Sequence, residues 1–216
     1  MNEQSVTDAL AIIDCYEVQT LLKRGVNFKD IINLPRDQLG QYDQITSSED
    51  SEKLIKLGID IHTLASMSQA DIQCLVSKLE TAPAKQLMKL GMSVMQIKEI
   101  DEASLPLAVE ILTAKSGQNL LNAGFDALSI VTMSQDKRQK LNNKLYDPNI
   151  QALATLGFNR VFLLQQPNQL MQEQAKALRY FSDVNSIRIL SSQGVTPNTI
   201  IVLGKHSLNR AVAALQ

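Results

Sequence analysis

Apolar and polar positions recur along this chain with one long period. Leu21, Leu54, Leu87, Leu120, Leu153 and Leu190 each stand four residues before a glycine. Those glycines are Gly25, Gly58, Gly91, Gly124 and Gly157, spaced by 33 residues, and then Gly194 after 37. One residue past each glycine is apolar: Val26, Ile59, Met92, Phe125, Phe158 and Val195. The next is small and polar: Asn27, Asp60, Ser93, Asp126, Asn159 and Thr196. Ile31, Leu64, Ile97, Ile130, Leu163 and Ile200 complete the pattern six residues past the glycine. Periods of this length mark stacked repeats.

Each column has a physical reason. Glycine takes the left-handed conformation that ends a helix at little steric cost. Asn, Asp, Ser and Thr accept hydrogen bonds from the free amides at the start of the next helix. The apolar residue between them packs across the corner. A second start lies ten residues past the glycine, at Pro35, Ser68, Asp101, Ser134, Pro167 and Gly204. Ser68 with Asp71 resembles a capping box, and Ile72, Leu75 and Leu79 follow at helical spacing. Longer helices are expected over roughly 69–81 and 135–146. Pro83, Gly117 and Pro148 read as breaks before the next repeat, and 43–53 as a polar loop.

The expected fold is all-α: a right-handed-type α-solenoid of about six three-helix repeats, short, short and long. The whole chain, 1–216, forms one helical-repeat domain in this reading. The repeats run about 18–50, 51–83, 84–116, 117–149, 150–186 and 187–216. The additional residues of the fifth fall near Ser182–Ser186. Val6, Leu10 and Ile13 make 1–17 an N-terminal capping helix, whereas 211–215 is apolar with nothing beyond to cover it.

A 33-residue period also fits ankyrin repeats, and Leu120-Leu121-Asn122-Ala123-Gly124 looks like the end of one. The Thr-Pro-Leu-His segment of that family is absent from all six units. The stretch from Leu87 to Ile97 resembles the short helical repeats of mitochondrial transcription termination factors. Repeats of the transcription-activator-like type share the helical-hairpin length, but their base-reading pair has no counterpart here. The resemblance implies a helical array with a nucleic-acid groove.

Charge tests that implication. The net charge is −1, with no overall pull toward polyanions. Lys23, Lys56 and Lys89 repeat one position, but the column continues as Asn122, Thr155 and Ser192. Lys137, Arg138, Lys140 and Lys144 form a basic cluster in the fourth repeat. Together these seven are the candidate phosphate contacts of a nucleic-acid reading.

Other chemistry is sparse. No phosphate loop, Gly-x-Ser-x-Gly or His-Glu-x-x-His occurs, so no enzyme, cofactor or metal site is expected. His62 and His206 lie in different repeats and read as surface residues, and Cys15 and Cys74 as small core residues in a reducing compartment. A protein partner is the favoured expectation. Its candidate contacts are Met95, Leu128, Val161 and Phe162, which follow their glycines, and Val212 and Leu215 at the end, where self-association is also expected. The sequence carries neither a basic, apolar leader nor a membrane-length run, which reads as cytoplasmic. Its Lys, Gln, Asn and Ser content suggests a bacterial adaptor or a secreted effector delivered into a host cell.

Overall fold

The computed structural model describes residues 15–214; residues 1–14 of the capping helix expected over 1–17 and the residue Leu215 lie outside them, while Tyr16 and Glu17 belong to the first described helix. Among the described residues there are eighteen α-helices and three short 3-10 turns, with no strand. Contacts divide the chain into two compact units, with the division between Val109 and Glu110.

The first unit holds α1 (Tyr16–Lys23), α2 (Phe28–Ile31), α3 (Leu39–Ile45), α4 (Glu49–Lys56), α5 (Ile61–Ala65), α6 (Gln69–Glu80), α7 (Ala82–Lys89) and α8 (Val94–Glu99). The division falls inside α9 (Leu105–Thr113). The second unit continues with α10 (Lys115–Asn122), α11 (Ala127–Thr132), α12 (Gln135–Lys144), α13 (Pro148–Thr155), α14 (Arg160–Gln165) and α15 (Asn168–Leu178). It ends with α16 (Val184–Ser192), α17 (Pro197–Leu203) and α18 (Leu208–Ala213).

The helices come in triplets, and the junctions follow the sequence columns. Every glycine of the series has positive φ, from 81° at Gly194 to 95° at Gly124. The amide of the apolar residue after it donates to the carbonyl five residues back, as Val26 does to Leu21 at 3.0 Å and Met92 to Leu87 at 3.1 Å. This Schellman-type closure satisfies carbonyls that the helix end leaves open. Asn27, Asp60, Ser93, Asp126, Asn159 and Thr196 then each accept from an amide of the next helix. Ser68 and Asp71 complete a capping box on α6, and Ser93 with Gln96 makes a second on α8.

The leucine before each glycine anchors the core. Leu21, Leu54, Leu87, Leu120 and Leu153 are fully buried, with Ile97, Ile130 and Leu163 equally so. Within a triplet the first helix packs on the third, as α1 on α3, α4 on α6 and α13 on α15. Between triplets the third helix packs on the second of the next, as α3 on α5, α6 on α8 and α15 on α17.

Several local expectations need correction. The stretch 43–53 is not a loop: α3 ends at Ile45 and α4 begins at Glu49, because Ser48 caps α4 through the Ser51 amide. Pro83, Gly117 and Pro148 lie at the start of the next helix: the prolines give up an amide hydrogen that has no partner there, and Gly117 lets its helix approach the Ile111 carbonyl, which a β-carbon would meet at 2.1 Å. The third helix is the longest of its triplet in α6, α9, α12 and α15, but α3 and α18 have only seven and six residues. Cys74 is exposed and Cys15 half-buried, so neither is a core residue. Cys74 lies between Ile72 and Leu75 but on the outward side of α6, and the Cys15 thiol donates to a Glu17 carboxylate oxygen at 2.7 Å.

Candidate functional site

The apolar candidates sit on the second helices of their triplets. Met95 is 38% exposed on α8, while Leu128 on α11 and Val161 and Phe162 on α14 are half-buried. Val161 is partly covered because its Cγ2 would lie 3.6 Å from a β-carbon at Gly124, so it leans on the turn of the preceding triplet. The preceding position is mostly buried, through Ile61, Val94 and Ala127. Val212 is half-buried on α18, near the exposed Val202 and Leu203 of α17 in sequence order.

The basic candidates divide into two kinds. Lys23, Lys56 and Lys89 are exposed at the ends of α1, α4 and α7, with Lys56 3.7 Å from Glu52. In the α12 cluster, Lys137 is exposed, but Lys140 pairs with Asp136 at 2.8 Å. Arg138 donates to the carbonyl oxygens of Ile130 and Met133 at the end of α11. Lys144 reaches the next triplet, donating to the Leu164 oxygen at 3.0 Å and to the Gln166 oxygen. Burial holds the Lys144 ammonium below the ordinary lysine range, and Asp147 partly offsets this.

Lys78 occupies the position of Lys144 two periods earlier and does the same work. Its ammonium donates to the Lys98 oxygen at 3.1 Å and to the Ile100 oxygen, at the end of α8. Ile111 holds the intervening position, and there Arg138 serves the end of α11 from its own triplet. The cations therefore close helix ends, where carbonyl dipoles favour positive charge.

His62, in α5, is exposed, and its Nδ1 lies 3.4 Å from the Tyr42 hydroxyl with the rings edge to face. The side chain of His206 lies outside the described residues. Among the described residues no three His, Cys, Asp or Glu side chains gather as a metal set. Among the same residues no helix is long and apolar enough to cross a membrane.

One concave site lies mostly at residues not singled out as candidates from the sequence, Lys56 excepted. Leu57, Val76, Leu79 and Met88 line a cavity of about 330 Å³ between α4, α6 and α7, rimmed by Lys53, Lys56, Lys85 and Glu80. Of its floor residues, Leu79 reads only as an apolar helix position in the sequence, and Val76 is not picked out.

Comparison with known proteins found no matching family model, no matching curated protein and no matching solved structure.

Proposed function

We propose that this chain is a non-enzymatic protein-binding scaffold, built as a right-handed-type α-solenoid of six three-helix units. The repeated glycine turns and caps support the array, because each triplet leaves an apolar face that its neighbour covers. The observation that carries the choice of partner is the use of the cations. Arg138 and Lys144 are turned onto helix carbonyls and Lys140 onto Asp136, so the largest basic cluster is largely occupied within the chain. Phosphate binding needs free cations along a continuous path. Exposed apolar side chains such as Met95 and Leu57 remain available to a protein.

Retention of the intact chain on heparin and on double-stranded DNA at low salt tests this. Weak retention, together with specific capture of a protein from the native lysate, is the expected result. Tight binding that falls steeply with salt would transfer the array to the nucleic-acid class.

A further inference from the structure

Within each compact unit, the third helix of a triplet lies against the first helix of the same triplet or of the next and forms a seam. In most of these seams a polar side chain closes the join. Between the first two triplets Arg24 does so: its guanidinium donates to the Asp43 carbonyl at 2.6 Å, to the Asp43 carboxylate at 2.7 Å and to the Thr46 hydroxyl at 2.8 Å. Glu52, on the following helix, lies 3.7 Å from the same group. One period on from Glu52 stands Lys85, then Gln118, Gln151 and, after the longer fifth repeat, Arg188. Gln118 donates to the Leu112 oxygen at 2.6 Å and Gln151 to the Leu145 oxygen at 2.5 Å. Arg188 donates to the Thr155 oxygen at 3.4 Å, and Ser191 beside it to the Leu156 oxygen at 3.0 Å.

The seam at α4, α6 and α7 lacks such a donor. Leu57, Val76 and Leu79 stand where Arg24, Asp43 and Thr46 did, as Leu90, Val109 and Leu112 do one period on, but Lys85 is exposed and, unlike Gln118, donates to no carbonyl among the described residues. What remains is the apolar cavity of about 330 Å³, open enough that Leu57 stays 46% exposed. Its volume is at the lower end of the roughly 300–1,000 Å³ typical of binding pockets. Three lysines and one glutamate rim it. Lys53 is shared between Glu49 at 3.1 Å and Glu80 at 3.6 Å, and Lys56 lies 3.7 Å from Glu52, which leaves Lys85 as the rim cation with no carboxylate partner among the described residues.

We infer that this open seam is a docking groove for an acidic partner segment, which inserts a large apolar side chain between Leu57, Leu79 and Met88 and sets a carboxylate against Lys85. This rests on the scaffold reading and names the chemistry of its partner. The apolar floor supplies the burial, and Lys85, the rim cation left unpaired, selects the sign of the residue set beside the apolar side chain.

Selection of a random peptide display library on the intact chain, with affinities of the enriched peptides measured by fluorescence polarisation, is the test. The expected peptides place Asp or Glu beside Leu, Phe, Met or Trp. Their affinity falls at least tenfold on Leu57→Asp and on Lys85→Glu, both exposed positions, with helix content by circular dichroism unchanged. Lys85→Glu reselected against the library should shift enrichment toward Lys and Arg. Enriched peptides that ignore both substitutions would overturn the groove and leave the scaffold reading standing. Recovery of no peptide, with strong retention on DNA, would overturn both. Tight binding of dodecanoate, or a dimer in sedimentation that Leu57→Asp dissolves, would assign the groove to a lipid or to a second copy and overturn the peptide proposal.

Discussion

The Lys144 ammonium lies 3.0 Å from the main-chain oxygen of Leu164, joining the end of α12 to the end of α14 in the next triplet. Lys78 makes the matching bridge to Lys98 at 3.1 Å. A charged donor on two helix-end carbonyls contributes more than a neutral one, about 1.5–3 kcal/mol in typical cases. Burial of Lys144 opposes the charge, but a neutral amine still donates to both oxygens. Lys144→Met should cost about 1–2 kcal/mol in urea unfolding. Lys78→Met should cost a similar amount, and the double variant should be additive because the two share no partner.

Gly91 and Gly157 separate two effects that share one backbone shape. Both have φ near +90°, at 92° and 91°. A β-carbon on Gly91 meets nothing within 4 Å, whereas one on Gly157 would lie 2.6 Å from the Ser191 hydroxyl oxygen. Gly91→Ala should therefore lose about 1 kcal/mol, the backbone cost alone. Gly157→Ala should lose clearly more, and in a Ser191→Ala background its cost should fall to that of Gly91→Ala. Chemical denaturation of the four variants completes the cycle.

Asp60 caps α5 through the Thr63 amide at 2.9 Å and accepts from the Thr63 hydroxyl at 2.6 Å. The hydroxyl and then the amide hold its carboxyl below the ordinary aspartate range. The unfolded chain takes up the proton first as pH falls. The stability Asp60 contributes is thus present above about pH 4 and is lost as pH drops through the lower folded value. Asp71 and Asp183 are lowered in the same direction by Ser68 and Ser186. Asp60→Asn should keep a cap and flatten the decline of the urea midpoint between pH 5 and pH 3, relative to the parent.

Gln174 on α15 is 4% exposed, and its side-chain oxygen has no hydrogen-bond partner among the described residues. Leaving a buried acceptor unmade costs about 1–3 kcal/mol. Gln174→Leu should raise stability by about 1 kcal/mol, seen as a higher thermal midpoint.

The sequence exposes the parts of this fold that depend on local chemistry. Gly25 and its equivalents, and the caps from Asn27 to Thr196, are legible because only a few residue types satisfy a helix end. Leu21 and Ile31 are legible as core because their columns never vary in type. The loop expected at 43–53 hid α4, since Glu49, Asp50 and Glu52 look polar although acids favour a first helical turn. The seams were illegible for a different reason. Lys144 and Arg138 read as candidate phosphate contacts and nothing sets Gln118 or Arg24 apart, so only the helix packing reveals which carbonyl each meets. The groove at Leu57 and Lys85 follows from that packing and from nothing local.

The central claim is that the three-helix period is the structural unit and that contacts pass between adjacent units. Removing residues 117–149 deletes one whole period and joins Ser116 to Ile150 in register. Native-state hydrogen exchange with circular dichroism on this shortened chain is the direct measurement. The account predicts a folded chain that loses about one period's share of helix and of slowly exchanging amides, with the α4–α8 amides still protected. Loss of protection throughout the chain would contradict it.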